Sequence, residues 1–398
     1  MATETATHRP RLSAVMRDTK QVTPLELFFD LVFVLAITQC TQLMSDDSTW
    51  SGLIQGLLVL GVLWWAWVGY AWLTSVVDPE EDAVRGVIFV AMAALLLVAL
   101  CVPGSFDDLG LTFALAYGVV RVAHLGLFLL ASRDHPELRR SVIAGLVWST
   151  ATAIAILVGA SFLDGLPQFA LWGLALVLDM GGPYLFGAEG WKLVPAHFAE
   201  RHGLIIIIAL GESIVAIGLG VGGELSVGQG AAAVVGMGLA AAMWWLYFDV
   251  VALVAARRLE RAAVGREQNE MARDSYSYLH FPMVAGIVLV ALGMKKTLGG
   301  VEDPLKVVPA FALLGGLAMY LLSHVAFRYR HIRTVNRQRA LQAVILLALL
   351  PVAVEIPALA TVAIVTVLVW VLIAYETRSY GESRARVRRE EAGHGASG

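Results

Sequence analysis

Acidic side chains inside apolar stretches are the residues of this sequence best placed to do chemistry. Glu26 and Asp30 are four residues apart, so a helix carries both on one face. Glu212 lies near the centre of another apolar stretch, as Gly211-Glu212-Ser213, between small residues that allow neighbouring helices to approach. A charged group in hydrocarbon costs roughly 3 kcal/mol on insertion scales, so such acids are functional candidates that can bind a proton or a cation.

Further candidates lie in or beside the apolar stretches: Arg121, His124, Asp179, Glu200, Arg201, His202, Ser213, Asp249 and His280. Arg121 is the one base at the middle of a predicted span, and it could form a structural ion pair with Glu212 or Asp179. Embedded acids outnumber embedded bases. Either some carboxyls are therefore protonated, or the interior attracts protons or cations.

Several candidates also have a purely structural interpretation. Glu26 follows Thr23 by three residues, which is the spacing of a capping box at a helix start. Asp249 and His280 lie near the ends of predicted spans and could simply reach the membrane interface. The sequence leaves both interpretations open for these residues.

Motifs for metal or cofactor chemistry are absent or misplaced in the sequence. His197 and His202 are five residues apart, so a helix places them on different faces, and this favours a gate or helix entry over a metal site. The glycines of 218–223 have dinucleotide-motif spacing, but they fall at the end of an apolar helix instead of after a strand. We therefore predict no cofactor, no metal site and no catalytic residue.

Transmembrane helices are the elements that must position these side chains. The chain has 398 residues, of which 58% are hydrophobic and 15% charged, and its mean hydropathy is +0.72. About 20 apolar residues cross a bilayer, so this composition excludes a large water-soluble catalytic domain. The predicted spans are 24–44, 52–73, 83–103, 109–131, 141–162, 166–187, 203–221, 228–254, 278–299, 305–327, 338–355 and 357–376.

The last two predicted spans allow two interpretations. Pro351 and Pro357 flank Glu355, and this arrangement is typical of either a tight outer turn or a broken helix. A turn gives twelve spans and places both ends of the chain on one side. A broken helix gives eleven and places them on opposite sides.

Basic residues predict the orientation, because cytoplasmic loops retain Lys and Arg. Of 29 basic residues, only Lys295, Lys296 and Lys306 fall in predicted outer connections, so we predict both termini in the cytoplasm. The basic residues form short clusters between apolar runs, which excludes nucleic acid as a partner. The lipid bilayer is the predicted partner, and the sequence leaves open a small ion or solute and an oligomeric assembly.

Short motifs of the first half recur in the same order in the second half. The matching positions are Glu26 with Glu200, Trp64-Trp65 with Trp244-Trp245, Leu97–Leu100 with Leu289–Leu292, and His124 with His324. We therefore predict an all-α bundle with a parallel 6+6 internal repeat. Its parts are an N-terminal tail at 1–23, repeats at 24–187 and 188–376, and a basic, disordered tail at 377–398.

Three longer motifs resemble one bacterial family. They are Thr23-Pro-Leu-Glu-Leu-Phe-Phe-Asp-Leu-Val-Phe-Val-Leu-Ala-Ile-Thr38, Glu200-Arg-His-Gly-Leu-Ile-Ile-Ile-Ile-Ala-Leu-Gly-Glu-Ser213 and Trp244-Trp-Leu-Tyr-Phe-Asp249. From about residue 20 to residue 375 the chain resembles the bacterial low temperature requirement protein A (LtrA) family. The resemblance implies a multi-pass protein of the bacterial inner membrane that is associated by name with growth in the cold, and it implies no established molecular activity.

The first of these motifs also looks like the Phe-Ser-Asp motif of the lysosomal potassium/proton channel family, which is built from six-helix units. Phe29 here replaces the serine, and Leu204 falls opposite Asp30 in the second half. These departures disfavour a symmetric channel filter.

Three classes of function fit these residues. The preferred one is a transporter or channel for protons, cations or a small solute, in which Asp30 and Glu212 bind ions and Arg121 is their counter-charge. The second is a membrane-embedded lipid-modifying enzyme that uses Glu212, Ser213 and His202. The third is a sensor or scaffold whose buried charges only fix helix packing. A wet cavity at Glu212 would favour the first class, a sideways groove near His202 the second, and a dry paired core the third.

Overall fold

Helices account for nearly all of the regular structure. The computed structural model describes residues 21–185, 190–221 and 225–379, and within these ranges the only β feature is an isolated bridge between Pro304 and Pro357. The predicted all-α class is confirmed. Most of the two predicted tails, 1–23 and 377–398, lies outside the described residues.

The first half of the described chain contains six helices. They are α1 (Pro24–Asp46), α2 (Trp50–Val76), α3 (Asp82–Gly104), α4 (Gly110–Ala131), α5 (Pro136–Ala160) and α6 (Leu166–Leu185). The second half follows with α7 (Pro195–Gly220), α8 (Val227–Phe248), α9 (Val251–Arg261), α10 (Arg266–Gly299), α11 (Val307–Ile332), α12 (Arg337–Ala348), α13 (Leu350–Ala353) and α14 (Ala358–Ser379).

Ten helical stretches of the described residues are long and apolar enough to cross a membrane. They are α1 to α5, α7, α8 continued by α9, α10, α11 and α14. The predicted spans 166–187 and 338–355 correspond to α6 and to α12 with α13, which are not among the ten. The polar residues Gln168 and Asp179 lower the hydropathy of α6, and α12 has only 12 residues.

The segment around the two prolines is a turn between separate helices. After α13, residues 354–357 reverse the chain and lie on the connection between α10 and α11. Ala358 N donates to Asp303 O at 2.9 Å, and Leu359 N donates to Val301 O at 3.1 Å. These backbone hydrogen bonds fix the start of α14 at the end of the bundle where α10 finishes.

The two halves of the bundle use a similar order of helix contacts. In the first half α1 packs on α3, and α3 packs on α4. In the second half α7 packs on α10, and α10 packs on α11. The halves meet where α1 lies against α7 and α10. Helices α10 and α11 approach each other closely, and a Cβ added to Gly286 would lie 2.6 Å from Gly316 O.

Side-chain contacts define two ends of the bundle. At one end Lys295 and Lys296 of α10 donate to Gln42 and to Ser45 O of α1; we call this the Lys295 end. At the opposite end α1 and α7 begin, and Val194 N, just before α7, donates to Ser75 Oγ at the end of α2 at 3.0 Å. We call that end the Glu26 end.

Candidate functional site

A capping box fixes the first turn of α1. Thr23 N donates to Glu26 Oε2 at 2.8 Å, and Glu26 N donates to Thr23 Oγ1 at 3.4 Å. The capping box predicted from the spacing is therefore present. It occupies Oε2 of Glu26 and leaves Oε1 for residues of α7, so the structural and functional interpretations of Glu26 are compatible.

Arg201 of α7 forms ion pairs with both acids of α1. Its Nη1 donates to Glu26 Oε1 at 3.0 Å, and its Nη2 donates to Asp30 Oδ1 at 2.8 Å. His197 Nε2 lies 2.9 Å from the same Glu26 oxygen, and all four side chains are buried. We call these four residues the Arg201 cluster. Two carboxylates and one guanidinium leave one negative charge, which a proton on His197 or on a carboxyl balances.

Helix α2 completes the surroundings of the Arg201 cluster. Trp67 Nε1 donates to Asp30 Oδ1 at 2.8 Å, and Arg201 Cζ lies 5.5 Å from a Trp67 ring centroid. Arg201 Nη1 also donates to Thr74 Oγ1 at 3.2 Å. Asp30 Oδ2 is buried without a hydrogen-bond partner, so this oxygen is available to hold a proton.

The pairing of Arg121 follows one of the two alternatives that the sequence left open. Its Nη2 donates to Asp179 Oδ1 at 2.8 Å, and not to Glu212. Thr150 Oγ1 lies 2.7 Å from the same guanidinium nitrogen and donates to Asp179 Oδ1 at 2.9 Å, while Tyr117 donates to Asp179 Oδ2 at 3.2 Å. This geometry is that of a structural ion pair inside the first half.

A third buried ion pair joins α12 to α14. Arg339 Nε and Nη2 donate to the two carboxylate oxygens of Glu376, each at 2.9 Å. Asn336 Nδ2 also donates to Glu376 Oε1 at 2.8 Å. Sequence reasoning missed this pair because both residues lie at the ends of predicted spans, where charged residues usually face water.

Glu212 differs from the other buried acids. It is 1% exposed, yet among the residues that the structure describes it is the one buried acid with no basic side chain within 4.0 Å. Thr38 of α1 donates to Glu212 Oε2 at 2.5 Å. The neighbouring Ser213 is also buried, and its hydroxyl has no partner. Glu212 is therefore a carboxyl with hydroxyl hydrogen-bond partners and no ion-paired base, and Lys295 is a basic group that acts on it from beyond 4.0 Å.

A buried apolar layer separates Glu212 from the Arg201 cluster. Arg201 and Glu212 are eleven residues apart on α7, which is about 16 Å along the helix axis. The side chains between them on α1 and α7 include Phe33, Ile37 and Ile205, all with 0% exposure. Segments 31–37 of α1 and 203–211 of α7, which contribute to this layer, contain no polar side chain.

The predicted histidines lie in an aromatic interior near the Glu26 end. His202 Nδ1 contacts Phe198 O at 2.8 Å, and its ring meets Trp67 edge-on with centroids 5.0 Å apart. His280 Nε2 lies 2.8 Å from the Tyr247 hydroxyl. A carbonyl only accepts, so Nδ1 of His202 carries the proton, and Nε2 of the neutral ring is an acceptor without a partner.

The remaining predicted residues are not brought into these clusters. His124 packs between Tyr70 and Phe128, with ring centroids at 5.5 Å and 5.0 Å. Glu200 is exposed and accepts from Val22 N at 3.3 Å. Asp249 is partly buried in the break between α8 and α9.

One residue of the Arg201 cluster, His197, could have been identified from its spacing in the sequence. His197 and Arg201 are four residues apart, so α7 presents both on one face toward Glu26. The sequence reasoning paired His197 with His202 instead, and that spacing gives different faces. Thr38, the hydroxyl partner of Glu212, could not be identified from residue spacing within α1, because its contact with Glu212 joins helices of the two halves.

The fold and these clusters define a class of protein. Ten apolar helices of membrane length surround a core in which acids and arginines are paired away from water, as in a multi-pass membrane protein. Among the described residues, no group of three or more His, Cys, Asp or Glu side chains is arranged to hold a metal ion.

The chain belongs to the bacterial low temperature requirement A protein (LtrA) family, which it matches over residues 21–374. It is also similar to an uncharacterized protein of Rhizobium meliloti (strain 1021), with 31% identity over 309 residues that cover 74% of each chain. No solved structure matches the chain. The family resemblance inferred from the motifs is therefore confirmed, and neither match names an activity.

Proposed function

We propose that this protein transports protons or a small cation across the membrane, with Glu212 as the residue that binds the transported ion. The observation that carries the proposal is the isolation of this carboxyl. The other buried acids each lie within 3.0 Å of an arginine nitrogen, so a basic side chain already contributes positive charge beside each of them. Glu212 has only hydroxyl hydrogen-bond partners, so a proton or a cation supplies the missing charge balance.

The proposed topology has twelve crossings, with α6 and with α12 and α13 as the two additional ones. We propose that the two six-helix halves are a parallel duplication, and the matching order of helix contacts supports this. Thr38 and Glu212 contact each other. They are 174 residues apart, which is also the separation of the matching positions Glu26 and Glu200. Residues near a two-fold axis contact their own equivalents in this way.

The proposed orientation places both termini in the cytoplasm of a bacterium and the bundle in its inner membrane. Lys295 and Lys296 lie at the end of α10 opposite the starts of α1 and α7. Most other basic residues fall in connections assigned to the Glu26 end, as the positive-inside tendency requires. The Arg201 cluster then faces the cytoplasmic side, and Glu212 is reached from the outer side.

In this proposal α1 and α7 move relative to each other during transport. The Arg201 cluster and the apolar layer close the cytoplasmic side, and the contact of Lys295 with Gln42 closes the outer side. Binding of an ion at Glu212 replaces its hydrogen bond with Thr38 and so weakens the contact between the halves. Asp30 Oδ2 is a second proton acceptor on the cytoplasmic side of the layer.

Ion flux in proteoliposomes tests the proposal. Purified protein is reconstituted, and separate proton, sodium and potassium gradients are applied. We expect flux for at least one ion, with loss of roughly 90% or more in Glu212→Gln, because the amide cannot supply the charge that binds the ion. The matched control is Glu302→Gln, the same chemical change at an exposed loop position, which leaves flux unchanged.

A second candidate function is that of a membrane scaffold or sensor that moves no ion. The pairing of Arg121 with Asp179 and of Arg339 with Glu376 favours it, because ion pairs of this kind fix helix positions. Well-folded protein that shows no flux under any of the three gradients, or equal flux in wild type and Glu212→Gln, would reject the transport proposal. Absence of flux would support the scaffold.

A further inference from the structure

A cavity of about 310 Å³ lies at the end of the second half, away from Glu212 and the Arg201 cluster. Helices α8, α9, α11, α12 and α14 surround it. Its lining residues are Leu246, Val250, Val251, Val254, Ala255, His324, Phe327, Arg328, His331, Ile332, Asn336, Arg339 and Glu376. One wall is therefore aliphatic and comes from α8 and α9, and the opposite wall is basic and polar.

The polar wall contains buried groups that lack partners. His324 is 1% exposed and its Nε2 has no hydrogen-bond partner, and His331 is 8% exposed with both ring nitrogens unpartnered. Leaving a buried polar atom unsatisfied costs about 1–3 kcal/mol, so such atoms in a cavity wall mark a place where a ligand completes the hydrogen bonding.

The charge of the wall selects an anion. Glu376 is the one acid among the lining residues, and Arg339 holds both of its oxygens. Arg328 uses its Nε for Thr334 Oγ1 at 3.0 Å, so its two Nη groups remain for a ligand. A guanidinium with two free amino groups matches two oxygens of a phosphate.

His324 adds a requirement for a donor on the ligand. Its Nδ1 lies 2.9 Å from Tyr320 O, and since a carbonyl only accepts, this nitrogen carries the proton. Nε2 of the neutral ring is then an acceptor. The ligand that satisfies both groups has an anionic oxygen for Arg328 and a hydroxyl for His324, as in a phosphate ester of a polyol.

The aliphatic wall indicates that this phosphate ester is part of a lipid. Helix α9 buries Ala255 and Leu259, while Arg257, Arg258 and Arg261 also lie on it, which is the pattern of a helix at a membrane surface. Basic pockets between transmembrane helices at a cytoplasmic surface are suited to anionic headgroups. A chain packed along Val250 and Val254 leaves its headgroup at the histidines and Arg328.

We propose that this cavity binds the phosphate-polyol headgroup of an anionic lipid, with Arg328, His324 and His331 as its ligands. The site is independent of Glu212, so it can exist whether or not the protein transports an ion. The bound lipid contacts both α9 and α11 and holds these two helices together at the Glu26 end.

Binding of short-chain lipids to the purified full-length protein in an uncharged detergent tests the site. Retained ligand is counted by native mass spectrometry, and the affinity is obtained from the shift of the thermal unfolding midpoint. The probes are dihexanoyl phosphatidylglycerol, dihexanoyl phosphatidylcholine and glycerol phosphate. We expect phosphatidylglycerol to bind at one site. Phosphatidylcholine is expected to bind at least about tenfold more weakly, because its headgroup has no net charge and no hydroxyl. Glycerol phosphate is expected to bind more weakly than phosphatidylglycerol because it lacks acyl chains.

Matched variants locate the binding. Arg328→Gln is expected to weaken phosphatidylglycerol about tenfold or more through loss of the charged donors, whereas Arg337→Gln makes the same charge change at an exposed residue outside the cavity and leaves binding unchanged. Val254→Phe fills the aliphatic wall and is a second variant that weakens binding without altering the charge.

Two outcomes would overturn the proposal in whole or in part. Equal binding of phosphatidylglycerol to wild type and Arg328→Gln, or no binding to wild type, rejects the headgroup site. Glycerol phosphate that binds as tightly as the lipid supports the phosphate site but rejects a lipid as its occupant. Neither result depends on the flux of any ion, so failure of this inference is distinguishable from failure of the transport proposal.

Discussion

At the scale of single residues, the buried charges of this protein are of two kinds. Arg121 with Asp179 and Arg339 with Glu376 are paired and further hydrogen-bonded within one half of the bundle. Glu212 lies at the contact between halves and has no base beside it. Removing one partner of a buried ion pair is strongly destabilising, whereas a buried carboxyl without a base can bind a proton or a cation. The two kinds of charge therefore respond differently to substitution.

The pair of Arg121 and Asp179 provides a stability test. Arg121→Met or Asp179→Leu alone leaves a buried charge without its partner and is expected to lower the free energy of unfolding by about 3–5 kcal/mol. The double variant is expected to lose less than the sum, because no unpaired charge remains. The measurement is unfolding in mixed detergent. Additive losses in the double variant would show that the two residues are not coupled.

Trp67 provides a smaller, local test of the Arg201 cluster. Trp67→Phe retains an aromatic ring but removes the Nε1 donor to Asp30, so we expect a loss of about 1 kcal/mol in unfolding free energy. Trp244→Phe, at a position that is 45% exposed, is the control and is expected to change stability little. A Trp67 variant as stable as this control would contradict the assigned role of the indole nitrogen.

At the scale of helices, the close contact between α10 and α11 depends on glycine. Gly286 of α10 and Gly316 of α11 face each other, and a Cβ on either would lie 2.6 Å from an atom of the other helix. The two helices can approach this closely only because neither residue has a side chain. They therefore form a rigid element at the centre of the second half, against which α7 packs.

Gly286→Ala is expected to force α10 and α11 apart. Overpacking of this kind costs about 1–3 kcal/mol, and the loss is measured as a lower unfolding midpoint of the purified protein. Gly126→Ala in α4, where a Cβ meets no atom within 4 Å, is the matched control and should leave the midpoint unchanged or raise it. Equal midpoints for the two variants would argue against the close contact.

At the scale of the whole molecule, the meeting of α1 with α7 and α10 is the structural basis of any transport cycle. Polar contacts at both ends of α1 hold the halves together, with Arg201 at one end and Lys295 at the other. The proposed transport requires at least one of these ends to open. Fixing the Lys295 end covalently should therefore stop ion movement.

A reversible cross-link tests this requirement. Gln42→Cys and Lys295→Cys are introduced after replacement of the two buried native cysteines, Cys40 and Cys101, by alanine. We expect a bifunctional thiosulfonate reagent to reduce flux by about tenfold or more, and a reducing agent to restore it. Either single-cysteine variant treated in the same way is the control. Full flux in the cross-linked protein would exclude opening at this end.

Labelling with a membrane-impermeant maleimide tests the proposed orientation. In the same cysteine-free background, Glu302→Cys lies at the Lys295 end and Arg337→Cys lies at the start of α12. We expect Glu302→Cys to react in intact spheroplasts and Arg337→Cys to react only after lysis, because basic connections stay in the cytoplasm. The reverse pattern would invert the orientation, and labelling of both from outside would contradict the even number of crossings.

The sequence by itself determined the helical class and the family, the embedding of Asp30, Arg121 and Glu212, and the capping box of Thr23 with Glu26. These features are local: hydropathy over about 20 residues and spacings of three or four residues report on one helix at a time. Several predicted boundaries were also close, for example 109–131 for α4 and 278–299 for the apolar part of α10.

Only the tertiary structure decided which charges meet. Arg201 pairs with both Glu26 and Asp30, Arg121 pairs with Asp179, and Glu212 is left with Thr38, from the other half of the chain. These partners are 175, 171, 58 and 174 residues apart in the sequence, and their contacts depend on how helices cross. The spacing of residues within one helix does not predict which residues of a neighbouring helix they contact. The pairing of charged side chains therefore depends on how the helices pack.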